Sequence, residues 1–352
     1  MTIRSSGALP ASEINTELGL SSTAAISIGG TATRALAGVA SGAIAFSNFY
    51  GKSSIVPYVA IGWQNPFYST NGTTWSLGTW PSGLGYINPS QPYQWYPVIF
   101  GNGKYVAATN GSFPNTKIAY STNGINWTAS GASPINANFK AAAYGGGVYV
   151  LISSQGGANM VTSTNGVDWT SRTVSGGSWD DNCMNYGNGK FVAVSRDSRA
   201  VATSSNGTSW SVASTGMPTS GWSGCAYGNS IWVAISYVGT GYATSADAST
   251  WTGRTLPASG GMNAICFGNG RFVAVGPGGS NGAVYSTDGT NWTRATLPTG
   301  AFTTVTYSSS AGLFVAGGTG TNRIITSPDG INWTVRSVPS ITNSIYGVVG
   351  SS

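Results

Sequence analysis

Seven times the chain repeats one nine-residue phrase, and the spacing of the copies constrains the fold more than any other feature. The copies are YSTNGTTWS (68–76), YSTNGINWT (120–128), TSTNGVDWT (162–170), TSSNGTSWS (203–211), TSADASTWT (244–252), YSTDGTNWT (285–293) and TSPDGINWT (326–334). Their tryptophans, Trp75, Trp127, Trp169, Trp210, Trp251, Trp292 and Trp333, lie 52, then 42, then four times 41 residues apart. A fixed period of this length marks repeats that bury their faces against one another.

Each phrase reads as strand, tight turn, strand. Asn71-Gly72 suits a two-residue type I′ turn, which needs positive φ at both central positions, and the flanking Thr, Tyr and Trp favour strands. Such a turn sets Thr70 opposite Thr73, Ser69 opposite Thr74 and Tyr68 opposite Trp75. A second phrase precedes the first in each repeat: FGNGKYVAAT (100–109), YGGGVYVLIS (144–153), YGNGKFVAVS (186–195), YGNSIWVAIS (227–236), FGNGRFVAVG (267–276) and a looser YSSSAGLFVAGG (307–318). It too reads as strand, Gly-rich turn, strand. Each repeat therefore holds four strands, A to D, and a four-stranded unit at this period is a β-propeller blade.

Aromatic residues early in strand B number seven: Tyr58, Tyr105, Tyr149, Phe191, Trp232, Phe272 and Phe314. Those closing strand A number six: Phe100, Tyr144, Tyr186, Tyr227, Phe267 and Tyr307. The missing A strand is supplied at the C terminus by NSIYGVVG (343–350), with Tyr346 in the aromatic phase; its B strand is PYVAIGW (57–63). The expected fold is all-β: a seven-bladed propeller over residues 53–352 whose last strand completes the first blade and removes the free sheet edges. The repeated aromatics are core, the flat side chains that neighbouring sheets need between them.

Composition agrees. Only 7% of the 352 residues are charged, and 52 glycines supply turns. No segment approaches the ~18 consecutive apolar residues of a membrane span, and MTIRSSGALP lacks the apolar core of a secretion signal. The net charge of +6 comes from scattered lysines and arginines, not from the dense stripe that phosphate binding needs. Neither nucleic-acid binding nor membrane insertion is expected. Cys183, Cys225 and Cys266 occupy similar phases in consecutive repeats and read as small buried thiols, in keeping with synthesis in a reducing cytoplasm.

The supply of acidic side chains limits the chemistry on offer. Both glutamates, Glu13 and Glu17, precede the propeller, and Asp168, Asp247, Asp288 and Asp329 belong to the C–D hairpins. Only Asp180, Asp181 and Asp197 remain for two-carboxylate glycoside hydrolysis. With no histidine there is neither a Ser-His-Asp triad nor an imidazole metal ligand. Those three aspartates could hold Ca²⁺ with backbone oxygens, but their spacing matches no calcium loop, and solvated loop acids is the simpler reading. No catalytic residue, metal or cofactor is expected.

A propeller's A–B and C–D turns emerge on one face, its B–C and D–A loops on the other. Trp63, Trp80, Trp95, Trp179 and Trp222 all fall in or beside the second set. The segment between Trp75 and Phe100 is longer than its counterparts and carries GTWPSGLGYINPSQPYQWYP, with Tyr86 and Tyr93. Asp180, Asp181, Arg196, Asp197 and Arg199 map to the same face. Aromatics with sparse polar groups suit stacking on sugar rings or anchoring a protein partner, so these twelve residues are the candidate ligand-binding set.

The nine-residue phrase resembles the Asp-box, or BNR repeat, of sialidases and other propellers, S-x-D-x-G-x-x-W. Here the Asn/Asp-to-Trp distance is four rather than five, Asn replaces Asp in four copies, and Asp247-Ala248 lacks the glycine. The resemblance implies the architecture. A sialidase-like site implies a Tyr/Glu nucleophile pair, which a propeller without glutamate cannot assemble.

Residues 1–52 lie outside the period. ALPASEINTELGLSS reads as a short helix with Ser12 as N-cap, Glu13 in the first turn and Gly19 at its end. LPASEINTELG and AFSNFYGKS, the latter holding Phe46, Phe49 and Tyr50, resemble the N-terminal segment of bacteriophage tail and fibre-like structural proteins. That resemblance implies a segment, here with Glu13, Glu17, Phe46, Phe49 and Tyr50, that docks on other virion proteins. It implies a virion location, while the loop aromatics lead to the expectation that the propeller displays that face to a host-surface glycan. A capsid or tail decoration or assembly subunit is the alternative, a polysaccharide-cleaving enzyme the least favoured; homo-oligomerisation in the particle stays open.

Overall fold

The computed structural model of the chain describes residues 11–18, 33, 36–37, 55–62, 65–81, 84, 94–110, 117–131, 133–153, 159–177, 179, 183–257, 260–276, 282–319, 324–339 and 344–351. The chain divides into two compact units, Met1–Val56 and Pro57–Ser352.

In the first unit a helix spans Ala11–Glu17, with Glu13 in its first turn. It starts one residue before Ser12, which therefore lies inside the first turn instead of capping it. Ile14 and Glu17 are buried. Gly19, Phe46, Phe49 and Tyr50 lie outside the described residues.

The second unit is seven antiparallel sheets of four strands. Blade 1 takes strand A from the C terminus, Ile345–Gly350, and follows it with Tyr58–Gly62, Phe67–Ser69 and Ser76–Leu77. Blades 2 to 7 are each continuous in sequence, over 94–129, 139–172, 184–213, 222–255, 264–295 and 301–336. Successive A strands touch one another in a closed cycle, which puts strand A innermost and strand D outermost. All seven strand B aromatics are fully buried. The expected propeller and its closure by the C-terminal strand are both present.

The closing register corrects one expectation. Tyr58 pairs with Gly350, Val59 with Val349 and Ala60 with Val348. The position opposite the strand B aromatic, filled by Phe100 in blade 2, is thus Gly350 in blade 1, and Tyr346 sits four residues earlier. The reason lies between blades. In five successive junctions the ring closing one A strand lies on the glycine that ends the previous one: Tyr144 on Gly101, Tyr186 on Gly145, Tyr227 on Gly187, Phe267 on Gly228 and Tyr307 on Gly268. A methyl group on any of those glycines would fall 2.0 to 2.7 Å from a ring carbon. From blade 7 to blade 1 the sizes are redistributed. Ser308 replaces the glycine, Gly350 replaces the ring, and Ser308 Oγ donates to Ser351 O at 2.9 Å.

The turns are corrected as well. Type I′ geometry belongs to the A–B hairpins, where Asn102 and Gly103 have φ of 43° and 70° and Gly101 pairs with Lys104. In the C–D hairpin Gly72 has positive φ (73°), whereas Asn71 does not. Tyr68 accordingly pairs with Ser76 rather than Trp75. The extra residue is held by a side-chain cage. Ser69 Oγ accepts from Gly72 N at 2.8 Å and donates to Thr74 O at 2.7 Å. Asn71 Oδ1 accepts from Thr73 N and Thr74 N at 2.8 and 2.9 Å. Asx and Ser side chains mimic a backbone turn in this way. Trp75 then turns inward, donating Nε1–H to Gly72 O at 3.1 Å and meeting the ring of Tyr58 at 6.3 Å.

Four cages use Asn (Asn71, Asn123, Asn165, Asn206) and three use Asp (Asp247, Asp288, Asp329). The Ser249 hydroxyl, with the N–H groups of Thr250 and Ser249, holds the Asp247 carboxyl well below the usual range. Backbone N–H groups at Asn291 and Thr290 do the same for Asp288. At Asp329 slight burial acts upward but is outweighed by the N–H groups of Asn332 and Ile331. A carboxylate depressed in the fold stabilises it fully above its unfolded value, 3.8, and this is lost as pH falls below that value. Thermal stability should therefore drop between pH 4 and pH 2 (roughly the window set by linkage). The triple variant Asp247→Asn, Asp288→Asn, Asp329→Asn should lose less stability over that range than the parent, as scanning calorimetry would read. An equal loss in both would remove the cages from the account.

Candidate functional site

Antiparallel order puts the start of each strand A and the end of each strand B on one face of the ring. Most expected ligand-contacting tryptophans are not available there. Trp80, Trp95, Trp179 and Trp222 are all buried, and each has a packing role. Thr79 is pinned to the next blade, its N–H donating to Ile125 O at 2.9 Å and its carbonyl accepting from Trp127 N at 3.1 Å. This directs Trp80 onto Trp95, stacked at 4.1 Å, and against Trp127 at 4.9 Å. The long segment after Trp75 thus contributes a wedge between blades 1 and 2. Trp222 opens strand A of blade 5 and donates Nε1–H to Thr219 O at 2.7 Å; Trp179 lies over Gly177. Large apolar area gains more from burial than from a partly wetted platform. The sequence map fixed the segments of these residues and not their exposure, and their burial takes them out of the ligand-contacting surface. Trp63, Tyr86, Tyr93, Asp180 and Asp181 lie outside the described residues.

Arg196, Asp197 and Arg199, in the B–C loop of blade 4, do reach the surface. Arg199 is a strut: Nε–H donates to Met217 O at 2.6 Å while its carbonyl accepts from Met217 N at 2.9 Å. Arg196 instead lays its guanidinium over the ring of Tyr237, 4.5 Å from the centroid. Tyr237 belongs to the B–C loop of blade 5 and escaped the sequence reading, which mapped tryptophans in every loop but tyrosines only in the long segment after Trp75. Applied to tyrosines, the same map would have found it.

A second feature shapes this face. In five blades strand A carries a β-bulge or irregular residue near its start, at Tyr346, Tyr96, Lys140, Ser223 and Thr303, and Asn263 holds the matching place just before strand A of blade 6. Bulges re-aim side chains at barrel and propeller rims. Here they join blades: Ser223 Oγ donates to Met262 O at 2.5 Å, Asn263 Nδ2 to Phe302 O at 2.9 Å and Thr303 Oγ1 to Ile345 O at 3.2 Å. Further round, Tyr346 stacks on Tyr96 at 5.4 Å and Lys140 Nζ sits 5.2 Å from the Tyr96 centroid. The inner rim is held by polar and aromatic contacts, so the loops above it stand on a fixed base.

Among the described residues no group of three or more His, Cys, Asp or Glu gathers in metal-binding geometry. The cage carboxylates of Asp247, Asp288 and Asp329 are committed to their own turns. Cys183 and Cys225 are buried, and burial, opposed by a backbone hydrogen bond at Asn185, pushes the Cys225 thiol up to about 12. Such thiols are inert. No described helix is long and apolar enough to cross a membrane.

No family model matches the chain, and no curated protein matches it. Solved structures do. A candidate 6-phosphogluconolactonase from Bacteroides uniformis is 11% identical over 83% of this chain and 98% of its own, with a TM-score of 0.62. Virginiamycin B lyase from Staphylococcus aureus is 12% identical over 69% and 83%, with a TM-score of 0.58. YCF48 from Cyanidioschyzon merolae is 16% identical over 72% and 85%, with a TM-score of 0.50. The likeness is one of fold.

Proposed function

We propose that the protein is a non-catalytic structural component of a bacteriophage virion. Its N-terminal unit docks on the particle, and its propeller presents the B–C/D–A loop face to a glycan on the host surface. The observation that carries this reading is that the ring closes without the leader. Every described strand of the seven blades lies at or after Tyr58, so no blade takes a strand from residues 1–56, which on this reading serve another partner. Their likeness to the N-terminal segments of phage tail proteins gives that partner its identity. The scarcity of uncommitted carboxylates, and the absence of histidine from the sequence, favour binding over catalysis.

A decoration or assembly subunit, with the propeller against other virion proteins, is favoured by one observation: the four described loop tryptophans are interior. Antibodies against the propeller separate the readings when applied to purified particles. Labelling at the tail tip is expected, and a chain beginning at residue 57 should fail to be incorporated. Labelling spread over the shell would favour the decoration role, and absence from particles would overturn both. Release of reducing ends from host polysaccharide would establish an enzyme instead.

A further inference from the structure

Asn-Gly occurs nine times in the sequence. Asn71, Asn123, Asn165 and Asn206 stand in C–D cages, and Asn102, Asn188 and Asn269 in A–B turns. The other two, Asn110-Gly111 and Asn281-Gly282, extend outside the described residues. The dipeptide is chemically labile: the glycine nitrogen, on losing its proton, attacks Cγ of the asparagine and closes a succinimide ring. The rate depends on whether that nitrogen is open to solvent and whether the amide is free to turn towards it.

The cages commit both partners. Gly72, Gly124, Gly166 and Gly207 are buried, and each donates its N–H to the cage serine Oγ at 2.8 to 2.9 Å. Each asparagine Oδ1 accepts from two further backbone N–H groups at 2.8 to 3.0 Å, which fixes the plane of the amide. The A–B turns do neither. Asn102, Asn188 and Asn269 are exposed, with φ of 43°, 48° and 46°. A two-residue turn pairs the residues on either side of it, Gly101 with Lys104, Gly187 with Lys190 and Gly268 with Arg271, and gives its own glycine N–H no partner. A Cβ on Gly103, Gly189 or Gly270 would meet nothing within 4 Å, so water and base reach the nitrogen. Among the described residues the Asn102 and Asn188 side chains make no hydrogen bond, whereas Asn269 Nδ2 donates to Pro328 O at 3.4 Å. Asn229 shares the geometry, with φ of 46°, but Ser230 follows it and its Nδ2 donates to Thr287 O at 2.6 Å.

We infer that Asn102 and Asn188 are sites of deamidation in the folded chain, with Asn269 following more slowly, and that the serine cages preserve the other four. The bond from glycine nitrogen to Cγ forms as the Cγ–Nδ2 bond breaks, and the glycine proton leaves with the amide nitrogen as ammonia. Water then opens either C–N bond of the imide, giving aspartate or isoaspartate, with no change of oxidation state. Both products place a new negative charge on the A–B turn face. Isoaspartate also adds a methylene to the backbone of a turn whose flanking residues are paired. A caged asparagine reacts only after its turn has opened, so local stability sets its rate.

The test uses the full chain, held folded in mildly alkaline buffer and sampled over weeks. Peptide mapping by mass spectrometry and isoaspartyl methyltransferase labelling follow each site. Asn102 and Asn188 should convert to both products at least about tenfold faster than Asn71, Asn123, Asn165 and Asn206, because those four wait on local opening. Asn229 should stay intact. In denaturant the Asn-Gly sites should converge on similar rates. Ser121→Ala, which removes the acceptor of the Gly124 N–H, should speed conversion of Asn123 about tenfold and leave Asn71 in the same molecule unchanged. Should that variant melt early, the parent chain, folded against denatured, decides the matter alone. Intact Asn102 and Asn188 in the folded chain would overturn the sites. Caged asparagines that convert as fast as these two would overturn the protection, and so would a spread of rates in denaturant as wide as in the fold. An unchanged rate at Asn123 in a folded Ser121→Ala chain would overturn the part given to the serine.

Discussion

A chain ending at residue 342 should fail to yield a folded propeller. The deletion removes strand A of blade 1, Ile345–Gly350, which carries Ile345, Val348 and Val349, all buried. Burying three such side chains is worth about 4.5–9 kcal/mol at ~1.5–3 each, before the lost ladder with Tyr58–Gly62 is counted. Whole domains are stable by only about 5–15 kcal/mol. One strand edge would also open, on strand B of blade 1, and the faces of blades 7 and 2 that Ile345–Gly350 covers would be exposed. Unpaired edges of this kind template aggregation. The expected result is insoluble or molten protein, and deletion of residues 1–52 should be harmless to the ring by comparison. A soluble, cooperatively melting truncation would show that the closure contributes little.

Gly145→Ala should be among the most destabilising single-methyl changes in the chain. The new Cβ would lie 2.0 Å from Cγ of Tyr186, against about 3.5–4.0 Å for carbon atoms in favourable contact. That ring carbon is attached directly to Cβ and cannot swing away, since Tyr186 is paired with Phe191 across its own blade at 4.7 Å. Blades 3 and 4 would have to separate. Overpacking typically costs ~1–3 kcal/mol and occasionally more; with a rigid ring as the obstacle the upper part of that range is expected. Gly260→Ala, with nothing near its Cβ position, should change stability by less than about 0.5 kcal/mol. Chemical denaturation of the two variants side by side would decide the matter, and similar midpoints would remove the ring-on-glycine junction as a determinant.

Blade number, strand order and closure were legible because each rests on repetition: a pattern stated seven times is robust to local ambiguity. Local geometry was less so. Asn-Gly in a strand-rich context suggested a type I′ turn at Asn71-Gly72, but the Ser69 hydroxyl two residues earlier makes the cage more favourable and moves the register by one residue. The same dipeptide at Asn102-Gly103, with no serine two residues before it, adopts the expected turn. Tyr346 was assigned to the closing aromatic position from spacing alone. Position 350 must be small there because Ser308 already fills the junction, its Cβ 2.7 Å from where a Cβ on Gly350 would stand.

The candidate site was legible only as a face. Loop position fixes which end of the ring a residue occupies, whereas exposure depends on how neighbouring blades fill the space between them. Trp80 and Trp95 are consumed by each other; Tyr237 is propped outward by Ser236 and Gly261. Nothing in the one-dimensional pattern distinguishes these outcomes, because the deciding contacts join loops of different repeats.

The most direct test of the ring as described is a cysteine pair, Val59→Cys with Val349→Cys, placed on residues that face each other across strands A and B of blade 1. Directly paired Cα atoms in an antiparallel sheet lie about 4.5–5.5 Å apart, inside the span a disulfide bridges. Peptide mapping of the oxidised chain should recover a 59–349 link in the monomer, with the native fold retained and a higher melting temperature. Two free thiols at those positions, or links found only between separate molecules, would mean that the two ends of the propeller do not meet in one blade.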